Sequence, residues 1–184
     1  LAGDALQALA FELLTPEDEG IAPDIQARLC RLLARASGSA GMAGGQAIDL
    51  ASIGRSLDEA TLRDMHRRKT GMLLQGSVLM GAACGRADER AWQALERYGA
   101  AIGLAFQVVD DILDVTQPSD QLGKTAGKDA DADKPTYVSV MGLDAARALA
   151  LELRDEALQA LAASGLADSA RLATLADLIV DRDS

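Results

Sequence analysis

Apolar residues return every three to four positions along most of this chain, the spacing that lines one face of an α-helix rather than alternate faces of a strand. Leu6, Leu9, Leu13 and Leu14 keep that period until Thr15-Pro16 stops it. Pro23 followed by Asp24 starts a second helix, because proline's missing N–H costs nothing in a first turn; the pattern runs through Ala36 and ends at Gly38. A third helix is predicted from Met42 to about Ser52. Asp58 to His66 and Gly71 to Cys84 read as one long helix, kinked near Lys69-Thr70-Gly71 where glycine weakens it, and Gly85 ends it. The next helix spans about Asp88 to Val115. Trp92, Leu95, Tyr98, Ile102 and Phe106 mark its inward stripe, and Gly99 and Gly103 let a neighbour come close. Periodicity stops from Gln117 to Pro135, a Pro, Gly, Lys and Asp stretch that reads as a loop rather than a domain linker. It resumes at Tyr137 and closes with helices from about Asp144 to Ala163 and Asp168 to Arg182.

The expectation is therefore an all-α bundle forming a single domain over residues 1–184. Composition agrees: Ala and Leu dominate, β-branched residues are sparse, and aromatics make up only 3%. A net charge of -10 excludes a nucleic-acid partner, which would need a positive face, and disfavours anionic membrane surfaces. The most apolar run, Gly71 to Gly85, is shorter than a membrane span and is interrupted by Gln75 and Ser77. Cys30 and Cys84 lie in Ala/Leu/Gly-rich stretches without CxxC spacing and are expected to be buried small hydrophobes in a reduced, cytoplasmic protein. The chain enters a helical pattern at its first residues without an initiator Met, and reads as part of a longer polypeptide.

One feature breaks the apolar pattern. Within Gly103 to Val115 stand Asp110, Asp111 and Asp114, spaced three and four apart, so the acids crowd one side of a helix where like charges repel. They also sit near the helix C-terminus, where the negative end of the dipole makes them less favourable still. A solvated face would not choose that place. Oxygen ligands so arranged suit a hard cation such as Mg²⁺, which takes one or two carboxylates and leaves other positions to water and phosphate.

Cations for an anion stand nearby in sequence: Lys69-Thr70 after His66-Arg67-Arg68, and Gly123-Lys124-Thr125-Ala126-Gly127-Lys128-Asp129 with Lys134 beyond. The second segment lacks the spacing and strand-to-helix setting of a nucleotide P-loop. Taken singly, Lys69, Lys124 and Lys134 are ordinary surface lysines, and His66, the only histidine, reads as a partly exposed helix residue without an orienting partner. Acids and lysines together fit a diphosphate bridged by Mg²⁺, with metal on one side of the oxygens and ammonium groups on the other.

Seven segments in order resemble the short-chain trans-prenyl diphosphate synthases, most closely the C-terminal portion of the bacterial farnesyl diphosphate synthase (geranyltranstransferase) type. They are Gly3-Asp4-Ala5-Leu6, Gly41 to Gln46 with Asp49-Leu50, His66 to Gly71, Phe106-Gln107 with Asp110 to Asp114, Leu122 to Asp129, Lys134-Pro135-Thr136-Tyr137, and Leu175 to Arg182. The resemblance implies an isoprenoid-synthase-like helical bundle that condenses isopentenyl diphosphate with an allylic diphosphate, dimethylallyl or geranyl, to give farnesyl diphosphate. It implies Mg²⁺ as cofactor and a homodimer. It makes Asp110 the direct metal ligand, with Asp111 and Asp114 ligating or hydrogen-bonding through water. Lys69 and Lys124 would hold the allylic diphosphate, with Thr70, Gln107, Lys134 and, more weakly, Gln46 in support. The family carries two aspartate-rich motifs and only the second is present here, so these residues by themselves are expected to be inactive. A terpene cyclase of the same fold and a noncatalytic partner subunit remain as alternatives.

Overall fold

The computed structural model describes residues 1–17, 20–55, 57–117 and 135–182. The helices are α1 (Ala2–Leu13), α2 (Pro23–Ser37), α3 (Met42–Ala51), α4 (Glu59–His66), α5 (Met72–Cys84), α6 (Glu89–Thr116), α7 (Tyr137–Met141), α8 (Leu143–Ala163) and α9 (Ala170–Val180). Among the described residues there is no strand, and no helix is long and apolar enough to cross a membrane. The loop expected between α6 and α7 falls largely on residues 118–134, outside the described residues.

Local chemistry sets the boundaries. Asp58 and Asp88 each accept a hydrogen bond at 2.8 Å from the backbone N–H three residues on, which satisfies one orphan donor at the starts of α4 and α6. Pro23 occupies the first turn of α2. Thr136 and Ser139 form a reciprocal capping box on α7, and Gly142, at φ 86°, supplies the left-handed residue between α7 and α8. The expected kink between α4 and α5 is a π-turn, Arg67–Gly71, so the axis continues with an inserted residue instead of breaking.

Helix α6 forms the axis of the bundle. Its Leu95, Tyr98, Ile102, Ala105, Val108 and Ile112 pack in one core with Ala146, Ala150, Leu153, Ala157, Ala160 and Leu161 of α8. The alanines of α8 keep the two helices close, and the Tyr98 hydroxyl ties α9 to them by donating to the Leu172 carbonyl at 2.8 Å. Leu62 of α4 is fully buried, a contribution of roughly 1.5–3 kcal/mol by transferred area.

Several expectations need correction. Cys30 is only half-buried and Cys84 is exposed, since each falls on the outer side of its helix. Trp92 and Phe106 are partly buried rather than core residues; Arg28 lies 3.8 Å over the Trp92 ring and Arg182 4.1 Å over Phe106, so guanidinium groups cover them. The leucines of α1 form a helix as predicted, yet Leu6, Leu9 and Leu13 stay exposed.

Candidate functional site

The site grows from two places where glycine lets backbones touch. A Cβ on Gly103 of α6 would stand 2.7 Å from the Cα of Gly71, and a Cβ on Gly45 of α3 would collide with the backbone N of Lys69. The π-turn is thus held between α3 and α6 at van der Waals contact. One turn beyond each glycine is a polar side chain that meets it: Asp49 on α3 and Gln107 on α6.

Asp49, nearly buried, accepts a hydrogen bond from the Lys69 ammonium at 2.6 Å. The Lys69 side chain remains 32% exposed, so its other donors face the cavity. The rest of the basic run turns away. Arg67 and Arg68 both pair with Asp64, at 2.5 and 2.8 Å, and those bonds hold the Asp64 carboxyl below its usual range. Of the four residues His66 to Lys69, only His66 and Lys69 reach the interior.

Gln107 is buried, and its Oε1 accepts from the Thr70 hydroxyl at 2.7 Å and lies 3.2 Å from His66 Nδ1. His66 is 8% exposed, stacked on Tyr137 with ring centroids 5.4 Å apart. This reverses the expectation of a partly exposed histidine without an orienting partner. The partner is 41 positions away, beyond the reach of local pattern. Burial is the main reason its pKa is lowered, outweighing the Gln107 hydrogen bond, so the ring is neutral at pH 7.

The three acids divide their work. The Asp110 side chain is 42% exposed at the cavity edge, 3.8 Å from the Arg182 guanidinium. Arg182 is anchored by donating to the Phe106 carbonyl at 2.9 Å. Asp111 is buried and accepts from the Tyr137 backbone N–H at 2.7 Å, which secures the start of α7 against α6. Asp114 is also buried. They therefore do not form one exposed patch.

Asp49, Met65, His66, Lys69, Gln107, Asp110, Asp111, Pro135 and Thr136 line a cavity of about 90 Å³. That is room for a few waters at ~30 Å³ each. Among the described residues no three His, Cys, Asp or Glu side chains converge as a ready cage for a metal. One half-exposed carboxylate beside an ammonium instead fits a hard cation that draws most of its oxygens from water and a bound phosphate group. Of the residues named from sequence, Lys69, Gln107, Asp110 and Asp111 come together here and Thr70 reaches them through Gln107. Gln46 is half-buried on α3 outside the lining, and Asp114 lies one turn past it. Lys124 and Lys134 lie outside the described residues. Sequence reasoning missed Asp49, His66 and Arg182 as site residues; the hints for Asp49 were its place one turn after Gly44-Gly45 and its presence in a segment that carries the family resemblance.

Residues 1–173 match the family model described as polyprenyl synthetase. The farnesyl diphosphate synthase of Escherichia coli (strain K12) is 44% identical over 190 residues, covering 100% of this chain and 62% of that protein. The chloroplastic geranylgeranyl pyrophosphate synthase of Catharanthus roseus is 43% identical over 185 residues, covering 100% of this chain and 52% of that protein. The crystal structure of the Helicobacter pylori geranyltransferase complexed with magnesium and isoprenyl diphosphate aligns with a TM-score of 0.80 at 34% identity, over 97% of this chain and 57% of that one. The chain spans about half the length of the curated relatives it matches. With an all-helical fold, ordered motifs and a match over most of its length, this chain belongs to the polyprenyl synthetase family.

Proposed function

We propose that the polypeptide carrying this sequence is a trans-prenyltransferase that joins isopentenyl diphosphate to dimethylallyl or geranyl diphosphate, forming farnesyl diphosphate and releasing diphosphate. The observation that carries the reading is the convergence of Lys69 from the π-turn with Gln107 and Asp110 from α6 on one polar cavity in an otherwise apolar bundle. Lys69 would meet the allylic diphosphate as a point charge held in place by Asp49. Thr70 acts through Gln107, and Lys124 and Lys134 would add further ammonium groups.

Asp110 would hold Mg²⁺ together with the diphosphate oxygens, while Asp111 and Asp114, being buried, support it from behind. When bound, the metal offsets charge on the departing diphosphate. The carbon–oxygen bond of the allylic substrate breaks with its electron pair going to diphosphate; the isopentenyl double bond then closes onto the cationic carbon and a proton is lost. Met65, the apolar residue of α4 that lines the cavity, would help keep water from that cation. Fixed charges that need no reorganisation favour the charge-separated state. The same reading includes a homodimer in the cytoplasm. The names borne by the relatives, synthases and transferases alike, favour it over a cyclase or a noncatalytic subunit.

The test is a condensation assay on the natural polypeptide with labelled isopentenyl diphosphate and each allylic diphosphate. Farnesyl diphosphate should form only with Mg²⁺, and Asp110→Ala should lower turnover by roughly 10²-fold or more, the scale of several kcal/mol of metal-assisted charge stabilisation. Absence of elongated product, or unchanged turnover in the variant, would overturn the proposal.

A further inference from the structure

We propose that His66 is a positioning residue: its Nδ1–H and the Thr70 hydroxyl together clamp the Gln107 carbonyl oxygen, so that the Gln107 amide offers its NH₂ group as a fixed donor toward the cavity. Only the nature of the acceptor, a diphosphate oxygen, rests on the functional reading above; the clamp stands on geometry.

Gln107 Oε1 lies 2.7 Å from the Thr70 hydroxyl and 3.2 Å from His66 Nδ1, so both of its lone pairs are engaged from one side. A neutral imidazole carries one ring proton. With that proton on Nδ1, Nε2 is an acceptor, and the surroundings of Nε2 agree. It is buried, makes no hydrogen bond among the described residues, and stands 3.9 Å from Asp111 Oδ2. An N–H at that nitrogen beside a buried carboxylate would close to about 2.7–2.9 Å. Two acceptors facing each other keep their distance instead. Asp111 Oδ2 already accepts from Tyr137 N, and the stack on Tyr137 fixes the plane of the ring.

The consequence falls on Gln107. A side-chain amide can turn over at little cost in water, exchanging its carbonyl for its NH₂. Here a turn would set N–H against N–H at His66. The clamp therefore selects the orientation that presents a donor, beside the Lys69 ammonium, to whatever anion enters. Gly103, Thr70 and the π-turn bring Gln107 close, and His66 decides which end of the amide faces in.

The experiment reads ring carbon and nitrogen shifts of His66 by NMR in the natural polypeptide, with inorganic diphosphate and Mg²⁺ as the binding probe for variants. The Nδ1–H tautomer is expected. His66→Asn places an amide donor near the Nδ1 position and should keep the diphosphate Kd within about twofold of the parent, whereas His66→Gln places it near Nε2 and should weaken binding about tenfold, the loss of one hydrogen bond to a charged ligand. In the condensation assay the loss should appear in KM for the allylic diphosphate more than in kcat. An Nε2–H tautomer, or equal losses for Asn and Gln, would overturn the inference. Because the tautomer needs neither variant nor turnover, a parent that binds diphosphate but forms no product would defeat the proposed reaction while leaving the role of His66 decided.

Discussion

The two halves of α6 are built on different rules. Its first half buries Ala91, Ala94, Leu95, Ala101 and Ile102, groups that need only volume and shape from their neighbours, with the Tyr98 hydroxyl, bonded to the Leu172 carbonyl, as its one buried side-chain polar group. Its second half buries Gln107, Asp111 and Asp114 among Leu104, Val108, Val109, Ile112 and Leu113. Each of those polar groups requires a particular partner, because a buried polar atom left without one costs about 1–3 kcal/mol. An apolar helix end could have closed the bundle at less risk. The excess of polar groups at one end is therefore a mark of function, and the two halves should respond differently to substitution.

The largest effect is expected at their junction. Gly103→Val places a branched side chain where even a Cβ would be 2.7 Å from the Cα of Gly71. Backbone must move, at about 1–3 kcal/mol for overpacking. The shift displaces Thr70 from Gln107, so chemical denaturation should show lost stability and the condensation assay a fall in turnover larger than the stability loss explains. Equal activity in a destabilised variant would erase the distinction between the halves.

A smaller effect is expected from Tyr98→Phe in the apolar half. It removes the hydrogen bond to the Leu172 carbonyl and should cost about 1 kcal/mol in urea unfolding near neutral pH, with turnover unchanged. Burial pushes the Tyr98 pKa up to about 12 from an ordinary 10.0. The unfolded chain therefore releases this proton first, so stability that is full below pH 10 is lost as pH rises toward 12. The variant has no such group, and the gap between it and the parent should narrow over that range.

What the sequence disclosed follows the same division. Helices α2, α3, α5, α6 and α8 were legible because period, caps and glycines are local signals. Lys69, Gln107 and Asp110 were legible because their residue types in ordered motifs resemble a known family. The Asp49–Lys69 pair, the His66–Gln107 bond and the Arg182 cover of Phe106 were not, because they join residues 20, 41 and 76 positions apart, and the first two depend on how close the glycine crossings bring α3 and α6 to the π-turn. Residue type and an Ala/Leu/Gly-rich setting placed Cys84 inside, and helical period placed Trp92 on the inward stripe. In the fold Cys84 is exposed, and Trp92 sits at the core's edge under Arg28.

The central claim is that the polar half of α6 and the adjoining π-turn hold a diphosphate jointly with a hard cation. Calorimetric titration of the natural polypeptide with an unreactive isoprenoid bisphosphonate, with Mg²⁺ and again with the metal chelated, tests it most directly. Tight uptake with Mg²⁺ and little without it is the predicted result; equal uptake under both conditions, or none under either, would contradict the account.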